Sequence, residues 1–157
     1  MSGFVEGFLS AITPKTFGIY LASPDAIMPA KTNQSDAGFD LCSIVPADIL
    51  PGDRVIVDTG VVIHLTIGWE AQIRPRSGLA AKQGLMIVNT PGTIDAGYRD
   101  TIKVILYNSG KNVISLHKGA KIAQMVIKEV PHVELIKVDQ NDTNTSRGTN
   151  GFGSSGV

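Results

Sequence analysis

The stretch TIKVILY at residues 101–107 decides the fold class. Ile102, Val104 and Leu106 alternate with Thr101, Lys103, Ile105 and Tyr107, which is the two-residue period of a strand with one wholly apolar face and one mixed face. The apolar face belongs in a core. The mixed face still carries Ile105 and Tyr107 and suits packing against another subunit. Further apolar runs recur around it: FGIYL at 17–21, RVIVDTGVVIHL at 54–65, EAQI at 70–73, LMIV at 85–88, IAQMVI at 122–127 and HVELIKV at 132–138. Most are strand-sized and too short for helices. Turn signals separate them at Pro51-Gly52, Thr59-Gly60, Pro91-Gly92, Ser109-Gly110 and Lys118-Gly119. The pattern predicts an all-β barrel or jelly roll. One short helix is expected at SGLAAKQ, residues 77–83, opening with Ser77 in N-cap style and stopping at Gly84.

Composition narrows the functional classes. A chain of 157 residues is long enough for one domain with its own core. The formal net charge is zero, so there is no global basic field to capture nucleic acid, and a polyanionic ligand must be met by local groups. The single cysteine, Cys42, excludes an internal disulfide framework and a Cys/His zinc set, and suits a reducing compartment. His64, His117 and His132 lie far apart and receive no chemical role. The opening MSGFVEGFLSAITPKT lacks a basic start, and Pro14 and Lys15 close its apolar run; neither a signal peptide nor a membrane span is expected. Residues 1–16 therefore form an N-terminal extension, 17–140 the barrel, and 141–157 a polar, Gly/Ser-rich flexible arm. The protein is expected to be soluble and intracellular: cytoplasmic, or in the nucleus or host-cell interior for a viral source.

Five polar, Gly-rich segments carry the candidate chemistry: DAGFDL at 36–41, PRSGLA at 75–80, NTPGTIDAGYRD at 89–100, GAKIAQ at 119–124 and RGTNGFGSSG at 147–156. The third reads as a long hairpin connection in which Gly92 and Gly97 permit positive φ angles. Its Asp95 is either a turn residue bonding its own backbone or a general base, with Tyr98 as a flat surface beside it. Arg76, Ser77 and Gly78 suit phosphate oxygens at a helix start, or else form a helix cap with a surface arginine. Asp36 and Asp40 serve as turn and strand-start residues or orient magnesium and its waters. Gln124, set between apolar neighbours, is satisfied by backbone or faces a polar ligand. In the tail, Phe152 can stack on a base while Arg147, Ser154 and Ser155 grip phosphates, the alternative being a solvated linker. No lysine and no helix follow its glycines, so it is not a P-loop. Together this is an inventory for handling a nucleoside triphosphate.

In order and wording the five segments resemble those of the trimeric deoxyuridine triphosphate nucleotidohydrolase (dUTPase) family, from about residue 17 to 156. The resemblance implies magnesium-dependent hydrolysis of dUTP to dUMP and pyrophosphate, which limits uracil in DNA and supplies dUMP for dTMP synthesis. It implies a homotrimer with three shared sites. One subunit supplies the first, second and fourth segments, another the hairpin and a third the arm, with no direct nucleic-acid or membrane partner. By the same resemblance Asp95 orients and deprotonates the attacking water, and Tyr98 underlies the deoxyribose and leaves no room for a 2′-hydroxyl. Asn89 and the backbone of Gly92, Thr93, Ile94 and Asp95 line the uracil pocket, where cytosine would leave polar groups unpaired. Lys103 is a further substrate contact. Arg76, Ser77, Gly78 and Gln124 contact phosphates, and Asp40 holds Mg2+ through water, the metal resting mainly on the triphosphate. Arg147, Phe152, Gly153, Ser154 and Ser155 close over base and γ-phosphate.

Three departures stand out: Asn150 where the arm usually has Gly, Asp100 where Gly commonly follows the hairpin, and Ala120-Lys121 where an acid then Arg is frequent. Asp100 adds a negative charge near the hairpin, which would weaken nucleotide affinity. Two competing readings are a dCTP deaminase of the same fold and a nucleotide-gated binding protein.

Overall fold

The computed structural model describes residues 14–150. Its elements are β1 (Gly18–Leu21), β2 (Phe39–Cys42), β3 (Ala47–Ile49), β4 (Arg54–Asp58), β5 (Val61–His64), β6 (Trp69–Arg74), α1 (Ser77–Gln83), β7 (Leu85–Ile87), β8 (Gly92–Ile94), β9 (Lys103–Asn108), β10 (Ile114–Leu116) and β11 (Lys121–Glu129). Every strand pairing is antiparallel. The largest sheet runs β2-β11-β6-β8, a second runs β4-β9-β7, and β1-β5 and β10-β3 form two-stranded ribbons. This is the expected jelly-roll-like β architecture, with one short helix among the described residues.

The alternation in β9 works as its sequence predicts. Ile102, Val104 and Leu106 are buried with Val57, Ile63, Ile73, Leu85 and Met125 in one core, and each such side chain contributes roughly 1.5–3 kcal/mol on leaving water. Asn108 continues the inward row and is fully buried. Its Nδ2 donates to the Ile49 and Asn112 carbonyls at 2.8 Å each, and its Oδ1 accepts from Gly110 N–H at 2.9 Å. One side chain thus ties β9 to β3 and shapes the turn after it. On the outer face Ile105 pairs with the exposed Ile56, and Tyr107 with the exposed Met86. The mixed face is therefore an apolar surface within a single chain.

Several local expectations change. The 54–65 run breaks into β4 and β5 at Thr59, whose buried hydroxyl donates to the Ile102 carbonyl at 2.8 Å. The strand at 101–107 begins two residues later, at Lys103. Helix α1 has the expected bounds and ends on Gly84 in the left-handed region (φ 72°). Its N-cap, however, is Arg76, without a side-chain cap; Ser77 is already helical. The Arg76 carbonyl accepts from Leu79 and Ala80 N–H, which holds this residue at the strand-to-helix corner. Gly92 and Gly97 do not use positive φ; a Cβ at Gly92 would lie 3.3 Å from Asn89 Nδ2, a tight contact that the asparagine side chain would have to give way to.

The apolar run at 132–138 forms no strand. The last strand stops at Glu129, and Val133, Leu135, Ile136 and Val138 are all exposed. At the same end of the sheet, Trp69 packs its ring against Phe17, with centroids 5.2 Å apart. Among the described residues no helix is long and apolar enough to cross a membrane.

Candidate active site

Strand β11 assembles the site because it is flanked on both sides. Gln124 stands level with Asp40 on β2 and with Arg74 on β6, two residues before α1 leaves its Arg76 cap. The first, second and fourth polar segments therefore converge on one cleft of about 500 Å³, lined by Asp36, Gly38, Asp40, Arg76, Ser77 and Gln124 among others. Gly78 and Lys82 of α1 complete its wall.

Polar contacts fix these groups. Asp40, only 16% exposed, places one carboxylate oxygen 3.0 Å from Arg76 Nε and the other 2.7 Å from Lys121 Nζ. Gln124 Nε2 donates to the Pro75 carbonyl at 2.8 Å, so its amide is anchored by backbone at one end while the side chain borders the cleft. The first of the two readings, satisfaction by backbone, is the one the structure shows. The two acids around Gly38 and Phe39 have different uses. Asp36 accepts from Asn33 N–H at 2.8 Å and is a turn residue, whereas Asp40 is the centre of an ion-pair cluster.

A divalent cation finds limited protein support here. Among the described residues no three His, Cys, Asp or Glu side chains are grouped to hold a metal, and both oxygens of Asp40 already face cations. Such a donor set fits magnesium carried by phosphates and water, which is the usual way this ion binds beside nucleotides, and does not fit an all-protein cage.

The hairpin residues form a second, separate group at the opposite edge of the sheet. The Asp95 carbonyl accepts from Tyr98 N–H at 3.0 Å, so backbone alone closes the turn. The exposed Asp95 carboxylate makes no hydrogen bond or ion pair among the described residues, which removes the reading of Asp95 as an acid bonded to its own backbone. Tyr98 donates its hydroxyl to the Thr101 carbonyl at 2.9 Å, and Thr101 Oγ1 donates to Asp58 Oδ2 on β4 at 2.9 Å. The half-buried Tyr98 ring is thereby braced from the neighbouring sheet. Lys103 Nζ sits 2.6 Å from Asp100 Oδ2. Their hydrogen bond holds the Asp100 carboxyl below its ordinary range and the Lys103 ammonium above its own. Asn89 and Thr93 are exposed, with Gly92 buried and Ile94 half-buried in β8.

One chain does not bring the two groups together. Strand β8 lies three strand spacings from β2, roughly 14 Å. Asp95 also follows the Ala71–Ile94 pairing, level with Glu70, while Asp40 is level with Arg74, an offset of about four residues or ~13 Å along the sheet. Arg147 is exposed and donates Nε–H to the Asn150 carbonyl at 3.0 Å; Phe152, Gly153, Ser154 and Ser155 lie outside the described residues. Sequence reasoning missed Lys121, Lys82 and the bracing pair Asp58–Thr101. Lys121 stood inside the fourth segment, but only strand pairing shows that it reaches Asp40.

An antiparallel jelly roll with an arginine, amide and paired carboxylate around an anion-sized cleft, and a free acid on a detached hairpin, defines a nucleotide-handling β protein. Residues 24–156 match the dUTPase family model, and the chain belongs to that family. It is 50% identical to the deoxyuridine 5′-triphosphate nucleotidohydrolase of Gloeothece citriformis over 132 residues, spanning 84% of this chain and 90% of that one. It is 45% identical to the Nocardia farcinica protein of the same name over 149 residues, spanning 94% and 88%. Among solved structures it resembles a mutant of the Staphylococcus bacteriophage 80alpha dUTPase with dUpNHpp, with a TM-score of 0.84 and 27% identity over 92% of this chain and 100% of that one. A mutant dUTPase from phage phi11 of S. aureus, described with a coordinated structural Mg(II) ion, gives a TM-score of 0.75 and 25% identity over 80% and 98%.

Proposed function

We propose that this protein hydrolyses dUTP to dUMP and pyrophosphate in a homotrimer whose sites are each built from neighbouring chains. The observation that carries the shared site is the separation of the Arg76 cleft from the Asp95 hairpin within one chain. A triphosphate seated beside Arg76, Ser77, Gly78 and Gln124 needs an acid from elsewhere, and a second copy supplies it. The exposed apolar face around Ile56, Met86 and Ile105 gives the copies a surface on which to associate.

In this reading the unpaired Asp95 carboxylate takes a proton from a water aimed at the α-phosphorus, and Tyr98 supports the sugar with its ring held by Thr101. Asn89 and the backbone from Gly92 to Asp95 read the uracil edge, and Lys103 adds a cation near the hairpin. Magnesium would neutralise the phosphate oxygens and is held mainly by them, with Asp40 reaching it through water. Arg76 contributes fixed positive charge to the same task. Arg147 and residues 152–155 of a third chain cover base and γ-phosphate and exclude water. The lone, buried Cys42 suits a reducing, intracellular setting.

The test is pyrophosphate release from dUTP, dCTP, dTTP and UTP, with magnesium and with chelator, and with ammonia release from dCTP followed alongside. Magnesium-dependent release from dUTP alone is the expected result; ammonia from dCTP, or no release from any nucleotide, would overturn it.

A further inference from the structure

We infer that Lys121 is a positioning residue of the phosphate cleft, locking Arg76 through Asp40 and giving the cluster its net positive charge. This rests on the cleft's being the phosphate site of the proposed reaction.

Strand β11 carries a register shift between Lys121 and Ala123: Ala123 pairs with Leu41 as a regular ladder requires, but Lys121, not Ile122, pairs with Cys42. Residues three apart on a regular strand face opposite sides. The shift cancels that rule, which is the ordinary use of a bulge beside a site. Ile122 is 1% exposed in the core, while Lys121 turns out of it onto Asp40, behind the wall of the cleft that Asp40 and Gln124 line.

Lys121 then touches the arginine's support at two points. Its Nζ is 2.7 Å from Asp40 Oδ2, while Asp40 Oδ1 is 3.0 Å from Arg76 Nε. Its own carbonyl lies 3.5 Å from Arg76 Nη1. The guanidinium is held at two nitrogens, and its remaining N–H groups are left for the cleft it lines. Charge points the same way. Arg76 and Asp40 alone are a neutral pair, and a carboxylate with one oxygen unmatched would repel a polyphosphate. With Lys121 the cluster keeps one net positive charge, which acts on an anion in the cleft from behind the Asp40 carboxylate.

Lys121→Met removes the charge and keeps the stem; Lys121→Arg restores the charge. For dUTP turnover, Lys121→Met should raise KM about tenfold with a much smaller change in kcat, and flatten the salt dependence of KM, while Lys121→Arg should stay within about twofold of wild type. Affinity for the non-hydrolysable analogue dUpNHpp should fall in parallel. Unchanged KM and analogue affinity in Lys121→Met would overturn the inference, as would a loss that Lys121→Arg fails to recover. A wild-type protein that binds the analogue without turning over dUTP would overturn the hydrolase reading instead, and the analogue comparison alone would then decide the role of Lys121.

Discussion

Gly38 and Gln124 occupy space that only one of them can fill. A Cβ added at Gly38 would overlap Gln124 Oε1 and lie 3.2 Å from Gln124 Cβ. Gln124 can yield because its carboxamide is the far end of a flexible side chain, but yielding breaks its bond to the Pro75 carbonyl. Gly38→Ala should therefore cost at least about 1 kcal/mol of stability, the worth of that hydrogen bond, with the Gln124 Cβ contact adding to it, and KM for dUTP should rise severalfold. Equal KM values for the two proteins would show that the position of Gln124 is immaterial.

The proposed reaction draws Asp95 and Arg76 from different chains. Asp95→Asn and Arg76→Ala should each be nearly inactive alone. Trimers reassembled from equal amounts of the two should recover roughly a quarter of wild-type activity, since each site draws its two chains at random. Mixtures no more active than their parts would place both groups in a single-chain site.

Asp100 is an added carboxylate that holds Lys103. Asp100→Gly should free the ammonium for nucleotide and lower KM about two- to fivefold at low salt, with the gain fading as salt rises. The pair forms above the lowered Asp100 value and below the raised Lys103 value, so the effect should be flat across neutral pH. A KM that rises on this substitution would mean that Asp100 orients Lys103 productively.

Asn108 makes three internal hydrogen bonds from a fully buried position. Asn108→Ala orphans two carbonyls and a backbone N–H, and should cost roughly 2–4 kcal/mol in urea unfolding with kcat per folded site unchanged. Wild-type stability would show that water replaces all three bonds.

Burial pushes the Cys42 thiol up, and the neighbouring Asp40 carboxylate adds to the shift. Ellman's reagent should react with Cys42 slowly in the native protein and rapidly in denaturant. Because the folded value is raised, the stability tied to the neutral thiol is intact below the ordinary thiol range and is lost as pH climbs through the raised value. Equal native and denatured reaction rates would contradict this burial.

Much of this was legible from residues alone where a local rule matched the global one. The β9 alternation gave the core, Gly84 marked the helix end, and three polar segments predicted to cooperate do share a cleft. Strands β3, β8 and β10 escaped because three residues are too few to display a period and theirs, ADI, GTI and ISL, lack the continuous apolar run that exposed the equally short β7. The 132–138 run misled for a different reason: alternation says that a segment suits a pleated surface, and nothing about whether its own chain offers a partner edge. Lys121 was hidden because a bulge reverses the face that counting assigns.

Trp69 is the only tryptophan in the chain, and it stands opposite Glu129, the last residue of the last strand, with Phe17 against its ring. Both ends of the barrel's chain thus pass one indole. Its emission colour and quenching make the molecule its own optical gauge, reporting on that seam without an added dye.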